Sequence, residues 1–246
     1  MNYLYIVITM LLSYLIGSIP FGVVIGKFKH IDPRNEGSKN IGSTNVLRTM
    51  GPKYAALCMM LDGFKGFIII FLIKWIFELD IVSFIGKIDI LPVYGLLSIL
   101  GHTNSIFLKF KGGKAVATSA GVIAALSPIV GVSMMVVYLI IFFISGLSSL
   151  GSLISTTLAV VAGILEIIIF KEIKLLENSL YIAFYLIVFG IILYKHVNNI
   201  RKLARNQETR FNVGLQKKLN EDKKSENNIN NTITIETVID DKEHQL

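Results

Sequence analysis

Six long apolar runs, separated by short polar breaks, constrain this chain more than any other feature of its sequence. They occupy residues 3–25, 54–77, 90–108, 115–144, 151–170 and 180–194. A helix needs about 20 apolar residues to cross the hydrocarbon core of a bilayer, and most of these runs approach or exceed that length. Because 53% of the 246 residues are hydrophobic and only 17% are charged, the chain lacks the polar residues to cover a soluble surface. The sequence therefore predicts an all-α, polytopic membrane helical bundle.

The distribution of Lys and Arg between the runs predicts how the chain crosses the membrane. The breaks 27–53 and 109–114 carry six and three basic residues, the break 78–89 carries one, and the chain from 195 onward carries ten. Basic residues are retained on the cytoplasmic side of a membrane. The three segments rich in basic residues are therefore expected to face the cytoplasm.

The fourth run decides the number of spans. It contains Ser127-Pro128 near its middle, so it forms either one long tilted helix or two short helices that fold back at the proline. One helix gives six spans and, with an external N-terminus, leaves the basic tail outside. Two helices give seven transmembrane helices, an N-terminus outside and a cytoplasmic C-terminus. We predict seven.

The two ends of the chain differ in composition. The first run has no basic n-region and no A-x-A cleavage site, so we expect a retained first span rather than a cleaved signal peptide. Beyond Phe211 the residues are mainly polar and charged, which predicts a membrane domain over 1–211 and a disordered polar cytoplasmic tail over 212–246. The net charge of +7 is accompanied by no nucleic-acid motif, and we expect no nucleic-acid partner.

The first polar segment, 37–48, is dense in glycines, hydroxyls and amides and ends on a guanidinium. Glycines allow backbone N–H groups to turn inward, and Arg48 presents a planar fork that matches phosphate or carboxylate. The alternative is an ordinary polar loop whose basic residues only set the topology. The candidate binding residues of this segment are Ser38, Asn40, Thr44, Asn45 and Arg48.

The second polar segment begins at residues 101–102 and continues through the basic sequence 107–118. Gly112 and Gly113 precede an apolar helix, so backbone N–H groups and the helix dipole can converge on an anion there. Leu108 stands where a Walker A loop needs its first glycine, which disfavours an ATPase. The alternative is a tight basic turn between two spans. The candidate binding residues are His102, Lys109, Lys111, Gly112, Gly113, Lys114 and Thr118.

The third polar segment, 196–208, lies at the end of the last apolar run. His196 and Asn199 are three residues apart and share one face of a helix, and histidine exchanges a proton near neutral pH. A contact with lipid headgroups is the alternative for His196.

Polar residues also occur within or at the start of the apolar runs. Asp62 and Lys65, three residues apart in the second run, are predicted to form an ion pair within one helix. Ser149 and Ser152 open the fifth run, where they either join the site or simply cap the helix.

In this order and spacing, the segments resemble the PlsY family of acyl-phosphate:glycerol-3-phosphate acyltransferases, from about Gly17 to Glu208. The family's first motif resembles GSGN-x-G-x-TN-x-x-R, matched at 37, 38, 40, 42, 44, 45 and 48. Its second resembles GH…FLKFKGGKGVAT, matched at 101, 102, 107–114 and 116–118. Its third resembles H-x-x-NI-x-RL-x-x-G-x-E, matched at 196, 199, 200, 203 and 208. The segments 62–66 and 149–152 also recur in that family.

Five positions depart from the family pattern. Lys39, Ala115 and Asn206 replace glycines, Lys202 replaces an arginine, and Gly146 stands where an arginine is expected. Lys39 and Ala115 lie in the loops that would hold phosphate, so these two replacements are expected to reshape the loops.

The resemblance implies an enzyme of the cell membrane, multi-pass, with its active site at the cytoplasmic face. It would transfer a fatty acyl group from acyl phosphate to the sn-1 hydroxyl of glycerol 3-phosphate, giving lysophosphatidic acid and phosphate. Its implied partners are these two substrates, membrane lipid and a soluble enzyme that makes the acyl phosphate; no metal or other cofactor is implied. The catalytic candidates are His196, Asn199, Ser149 and Lys109, and the substrate-binding candidates are those given above together with Ser149, Ser152, His196 and Asn199.

Other activities are less consistent with the sequence. Acyltransferases that use acyl-CoA resemble a pattern in which Asp follows His by four residues, and none of the four histidines has that spacing. A small organic-phosphate or anion transporter would also explain basic loops and polar residues in spans, but the chain shows no internal repeat. A membrane scaffold would leave the three polar segments without a role.

Overall fold

Prolines and polar breaks set the helix ends in the computed structural model, which describes residues 2–78, 89–170 and 175–211. The helices in these ranges are α1 Asn2–Ser18, α2 Phe21–Phe28, α3 Ser43–Met50, α4 Pro52–Glu78, α5 Leu91–Thr103, α6 Val116–Leu126, α7 Pro128–Ser145, α8 Ser148–Phe170 and α9 Leu175–Ala204. A short 3-10 turn covers Ile106–Leu108, and no strand occurs among the described residues. The predicted all-α class is confirmed. The predicted tail, 212–246, lies outside the described residues.

Five of the described helices are long and apolar enough to cross a membrane, and α1 with α2 makes a sixth if that bent pair counts as one span. Helix α6 has 11 residues, so it is only about 17 Å long and cannot by itself cross a hydrocarbon core of about 30 Å. The count of seven spans and the orientation of the termini therefore stay predictions.

The fourth apolar run is divided where the sequence indicates. Helix α6 ends at Leu126, Ser127 is extended with φ −142°, and α7 begins at Pro128. Proline is compatible with the first turn of a helix because its missing N–H would be unpaired there in any case. The predicted division into two helices is confirmed.

Two helix boundaries differ from the sequence prediction. The first run is a pair of helices bent by 45° around Ile19-Pro20, because Pro20 disfavours a helical conformation in the residue before it. The pair together is apolar and long enough for the single span that the sequence predicts. The last run was expected to be short, yet α9 has 30 residues. The helix continues beyond Tyr194 to Ala204, because residues 195–204 contain no proline or glycine to end it.

Glycines bring neighbouring helices into backbone contact. A Cβ atom on Gly121 of α6 would overlap the carbonyl oxygen of Gly63 on α4, and one on Gly17 of α1 would overlap the backbone of Ser98 on α5. Membrane helices pack through small residues in this way because lipid supplies no hydrophobic drive between them.

The outer faces of the helices carry large apolar side chains. Phe143 of α7 is 70% exposed, and Ile168 and Phe170 of α8 are 66% and 80% exposed. A soluble protein rarely exposes apolar patches of this extent, whereas a bilayer covers them. The fold is that of a membrane protein with its polar segments gathered at helix ends.

Candidate functional site

Lys114 joins the loop before α6 to the end of α9. Its ammonium donates a hydrogen bond of 2.7 Å to Oδ1 of Asn199. The next residue, Ala115, is buried and has φ 63°, which turns the chain into the first residue of α6. Two residues predicted for the site from separate segments are thus in direct contact.

Glu208 connects this pair to the start of α8. Its Oε1 accepts a hydrogen bond of 3.2 Å from Nδ2 of Asn199, and its Oε2 accepts one from the buried hydroxyl of Ser149. Lys114, Ser149, Asn199 and Glu208 therefore form one group of side chains, which we call the Glu208 cluster. The sequence identifies Glu208 only as a motif position and not as a site residue. The available signal was an acidic residue in a strongly basic segment.

The charges around the cluster favour an anion. Burial is the main cause that lowers the pKa of Lys114 to about 8; the carboxylate of Glu208 opposes this shift, and the positive charges of Arg48 and Lys202 add to it. Three cationic groups thus act at this place against one carboxylate. That excess of positive charge suits a phosphate-bearing ligand.

His196 lies one turn before Asn199 on α9 and is 2% exposed. Its Nδ1 donates to the carbonyl oxygen of Ile192 at 2.8 Å, since a carbonyl can only accept. In the neutral ring this leaves Nε2 as an acceptor. The charge of Lys114 acts on this imidazole, so His196 belongs to the same neighbourhood.

Helix α3 reaches α8 through hydroxyl groups. Thr44 Oγ1 lies 2.7 Å from Ser148 Oγ, and Ser148 Oγ lies 3.1 Å from the hydroxyl of Tyr138. Arg48 is one turn beyond Thr44 and shares its helix face. These hydrogen bonds hold the first polar segment next to Ser148, the neighbour of Ser149 in the cluster.

Asn45 makes its side-chain hydrogen bonds to the loop that precedes α3. Its buried side chain accepts hydrogen bonds from the N–H (2.7 Å) and hydroxyl (3.0 Å) of Ser38, and donates to the carbonyls of Pro33 (2.8 Å) and Glu36 (3.1 Å). Asn40 similarly accepts from the N–H of Gly42 at 2.9 Å. These two amides shape the loop.

His102 lies beneath the glycine pair of the second segment. It is buried on α5, and its carbonyl oxygen accepts a hydrogen bond of 3.0 Å from the N–H of Gly113. Its ring contacts Lys65, and Lys65 pairs with Asp62 at 2.8 Å, which confirms the ion pair predicted within α4.

Four further predicted binding residues form no hydrogen bond or ion pair with the Glu208 cluster in the described chain. Lys109 and Lys111 are exposed, and their side chains have no hydrogen bond or ion pair within the described ranges. Ser152 is buried and donates to the carbonyl of Ser148 at 2.8 Å, as a helix-bonded serine does. Thr118 is buried in α6, and its hydroxyl has no partner among the described residues.

The described part of the chain contains no group of three or more His, Cys, Asp or Glu side chains arranged to hold a metal. The donors that the structure brings together are ammonium, amide, imidazole, hydroxyl and backbone N–H groups. These are groups that recognise oxyanions.

Three of the five departures from the family pattern share one backbone conformation. Lys39, Ala115 and Asn206, which replace glycines, have φ values of 56°, 63° and 53°. This left-handed region costs a side-chain-bearing residue free energy and costs glycine none. Gly146 is also left-handed, with φ 70°, and ends α7 as a glycine C-cap.

Several known proteins similar to this chain are named for the same activity. A family model described as glycerol-3-phosphate acyltransferase matches residues 7–206. The glycerol-3-phosphate acyltransferase of Acholeplasma laidlawii is 38% identical over 224 residues, which cover 86% of this chain and 95% of the relative. That of Aquifex aeolicus is 40% identical over 200 residues, covering 81% and 95%.

Two solved structures share the fold. A crystal structure of PlsY, an integral membrane glycerol 3-phosphate acyltransferase, in its glycerol 3-phosphate form has a TM-score of 0.70 and 36% identity, with 84% of this chain and 95% of that chain covered. The lysophosphatidic acid form has a TM-score of 0.68 and 35% identity, and again 84% of this chain and 95% of that chain are covered. The residues that the family model matches include the first two polar segments and the third as far as Asn206.

Proposed function

We propose that this chain, which belongs to the glycerol-3-phosphate acyltransferase family, transfers a fatty acyl group from acyl phosphate to the sn-1 hydroxyl of glycerol 3-phosphate. The products are lysophosphatidic acid and phosphate. The observation that carries this proposal is the meeting of Lys114, Ser149 and Asn199 around Glu208, because it joins the second and third polar segments to the start of α8. The positive charges of Arg48 and Lys202 act at the same place.

The reaction needs positioning more than covalent catalysis. An acyl phosphate is a mixed anhydride, so the hydroxyl oxygen of the acceptor attacks an activated carbonyl carbon. The carbon–oxygen bond to phosphate then breaks, and phosphate leaves with the bonding electrons. The hydroxyl proton passes to the departing phosphate or to Nε2 of His196. Two phosphate groups must be held close together, and an excess of cations offsets their repulsion.

The polar segments divide between the two substrates in this proposal. Gly112, Gly113 and Lys114 hold the acyl phosphate, helped by the N-terminus of α6. The residues that bind glycerol 3-phosphate are Ser38, Arg48 and Lys109, with His196 and Asn199 orienting it. Asn45 supports this site indirectly, because its amide is occupied by the loop that carries Ser38.

The active site lies at the cytoplasmic face of the cell membrane in this proposal, on a chain with seven spans and an external N-terminus. Lys114 precedes α6 and Ser149 follows α7, yet both belong to the Glu208 cluster. The chain therefore enters the membrane at α6 and comes back to the same face at the end of α7. Together with the five other spans, this supports an odd number of crossings for the whole chain. A soluble enzyme supplies the acyl phosphate from the cytoplasm.

Turnover by the purified protein tests the proposed reaction. Long-chain acyl phosphate and glycerol 3-phosphate are supplied in detergent or lipid, with acyl-CoA in parallel, and phosphate and lysophosphatidic acid are measured. We expect lysophosphatidic acid to form with acyl phosphate as the donor and not with acyl-CoA. The Lys114→Met variant should lose this activity. Lys53→Met is the matched control, because Lys53 is exposed and its side chain makes no hydrogen bond or ion pair with the described residues. The proposal would be contradicted if the protein used acyl-CoA but not acyl phosphate. It would also be contradicted if the folded protein formed no product with either donor.

A further inference from the structure

Asp62 and Lys65 of α4 and His102 of α5 form a buried polar group that the proposed reaction leaves unused. Their exposed fractions are 3%, 2% and 5%. Ionisable side chains in membrane helices are costly and persist where they pair with one another or serve a site. The group is therefore a candidate for a second role.

The contacts of Lys65 determine which nitrogen of His102 carries the proton. The ammonium donates to the carbonyl oxygen of Ile19 at 2.7 Å, pairs with Oδ1 of Asp62 at 2.8 Å, and lies 2.9 Å from Nδ1 of His102. An ammonium has three N–H donors and no acceptor, so Nδ1 must accept. The ring proton of neutral His102 is then on Nε2.

The opposite edge of the imidazole lies against the glycine pair of the second segment. A Cβ atom on Gly113 would overlap Nε2 of His102, and one on Gly112 would overlap the carbonyl oxygen of His102. Gly113 also donates its N–H to that carbonyl at 3.0 Å, which holds the turn over the ring. Within the described residues, Nε2 has no hydrogen-bond partner. A donor is thus held beside the loop, and none of the described residues accepts from it.

We propose that His102 donates its Nε2–H to a phosphate oxygen held at Gly112 and Gly113. Lys65 and Asp62 are positioning residues that fix the required tautomer from the other side of the ring. The inference rests on the proposed function for the source of that phosphate group, which is either acyl phosphate or glycerol 3-phosphate. A neutral donor strengthens anion binding without adding another cation beside Lys114.

Substitution of His102 by Asn or by Gln tests the roles of Nδ1 and Nε2 separately. In His102→Asn, the side-chain oxygen takes the place of Nδ1 and still accepts from Lys65, but no donor reaches the Nε2 position. In His102→Gln, the amide nitrogen reaches the Nε2 position and restores a donor to the loop. Because the two variants differ in which edge they preserve, they distinguish a ligand contact from a packing role.

Steady-state kinetics with each substrate varied in turn measures the effect. We expect His102→Asn to raise KM for one of the two substrates by about tenfold, equivalent to about 1.4 kcal/mol, with a wild-type Tm. His102→Gln should recover most of that loss. The substrate whose KM changes is the source of the phosphate. If both KM values of His102→Asn stay within about twofold of wild type at an unchanged Tm, the proposal is overturned.

Nitrogen-15 NMR of histidine-labelled wild-type protein tests the proposal without any variant of His102. The chain has four histidines, and His30→Gln, His196→Gln and His244→Gln identify the signals of the others. We expect His102 to be the Nε2–H tautomer and its Nε2 signal to move on addition of inorganic phosphate or glycerol 3-phosphate. A proton on Nδ1, or no movement with either probe, would overturn it. This result is independent of turnover, so it stands apart from a failure of the proposed reaction.

Discussion

At the residue scale, Glu208 combines two roles that can be separated. Its two oxygens accept from Asn199 and Ser149, and its charge acts on Lys114. Glutamine can still accept from one neighbour and donate to the hydroxyl oxygen of the other, but it carries no charge. The hydrogen bonds of the cluster and its electrostatic balance are thus open to separate measurement.

We predict that Glu208→Gln moves the alkaline limit of activity to lower pH. Lys114, with a pKa of about 8, loses its charge as pH rises through that value, so kcat/KM should fall there in the wild type. The carboxylate raises the pKa of Lys114, and its removal lowers that pKa further. The pH profile of kcat/KM checks this. Glu36→Gln removes an exposed carboxylate elsewhere and should leave the profile unchanged; equal shifts in both variants would contradict the assignment.

Ala115 offers a second prediction at the residue scale. Its φ of 63° costs an L-residue roughly 1–2 kcal/mol, which glycine avoids. Ala115→Gly should therefore raise the free energy of unfolding by up to about 1 kcal/mol after the greater flexibility of the unfolded chain is subtracted. Thermal unfolding in detergent measures it. Ala117→Gly, two residues later inside α6, is the matched control and should destabilise by about 1 kcal/mol.

At the element scale, the position of the second polar segment depends on the contact between α4 and α6. Lys114 stands two residues before α6, so a displacement of that helix would move the lysine away from Asn199. The contact relies on Gly121 and Gly63, whose backbones touch.

We predict that Gly121→Ala lowers both stability and activity. The new Cβ would overlap the carbonyl oxygen of Gly63, which is backbone and cannot rotate away, so the helices must separate at a cost of about 1–3 kcal/mol. Tm and turnover should fall together. Gly190→Ala makes the same change on α9 where no atom lies within 4 Å, and it should leave Tm unchanged or higher. A Gly121→Ala protein as stable as Gly190→Ala would refute the close contact.

At the scale of the whole molecule, the path of the chain through the membrane is testable with cysteine labels. The one native cysteine, Cys58, is buried and gives a low background. We predict that a membrane-impermeant maleimide labels Leu147→Cys and Asn212→Cys from the cytoplasmic side and Ser83→Cys from outside. Labelling of Leu147→Cys and Asn212→Cys from opposite sides would rule out the seven-span topology. Retained turnover confirms that each variant is folded.

The sequence by itself determined the helical membrane class, the break at Pro128 and most of the candidate site residues. These follow from properties read along the chain: runs of apolar residues, the missing N–H of proline, and the glycine, hydroxyl and basic character of short segments. The ion pair of Asp62 and Lys65 was predictable for the same reason, because residues three apart on a helix are neighbours.

Only the tertiary structure decided which of these residues meet. Lys114 and Asn199 are 85 positions apart, and Ser149 and Glu208 are 59 apart, so no local pattern pairs them. It also assigned Asn45 to the loop, placed Glu208 in the site and turned Nε2 of His102 toward the glycines. The physical reason is that hydrogen bonds and charges act over a few ångströms in space, and those distances are set by the packing of the helices and the path of the loops between them.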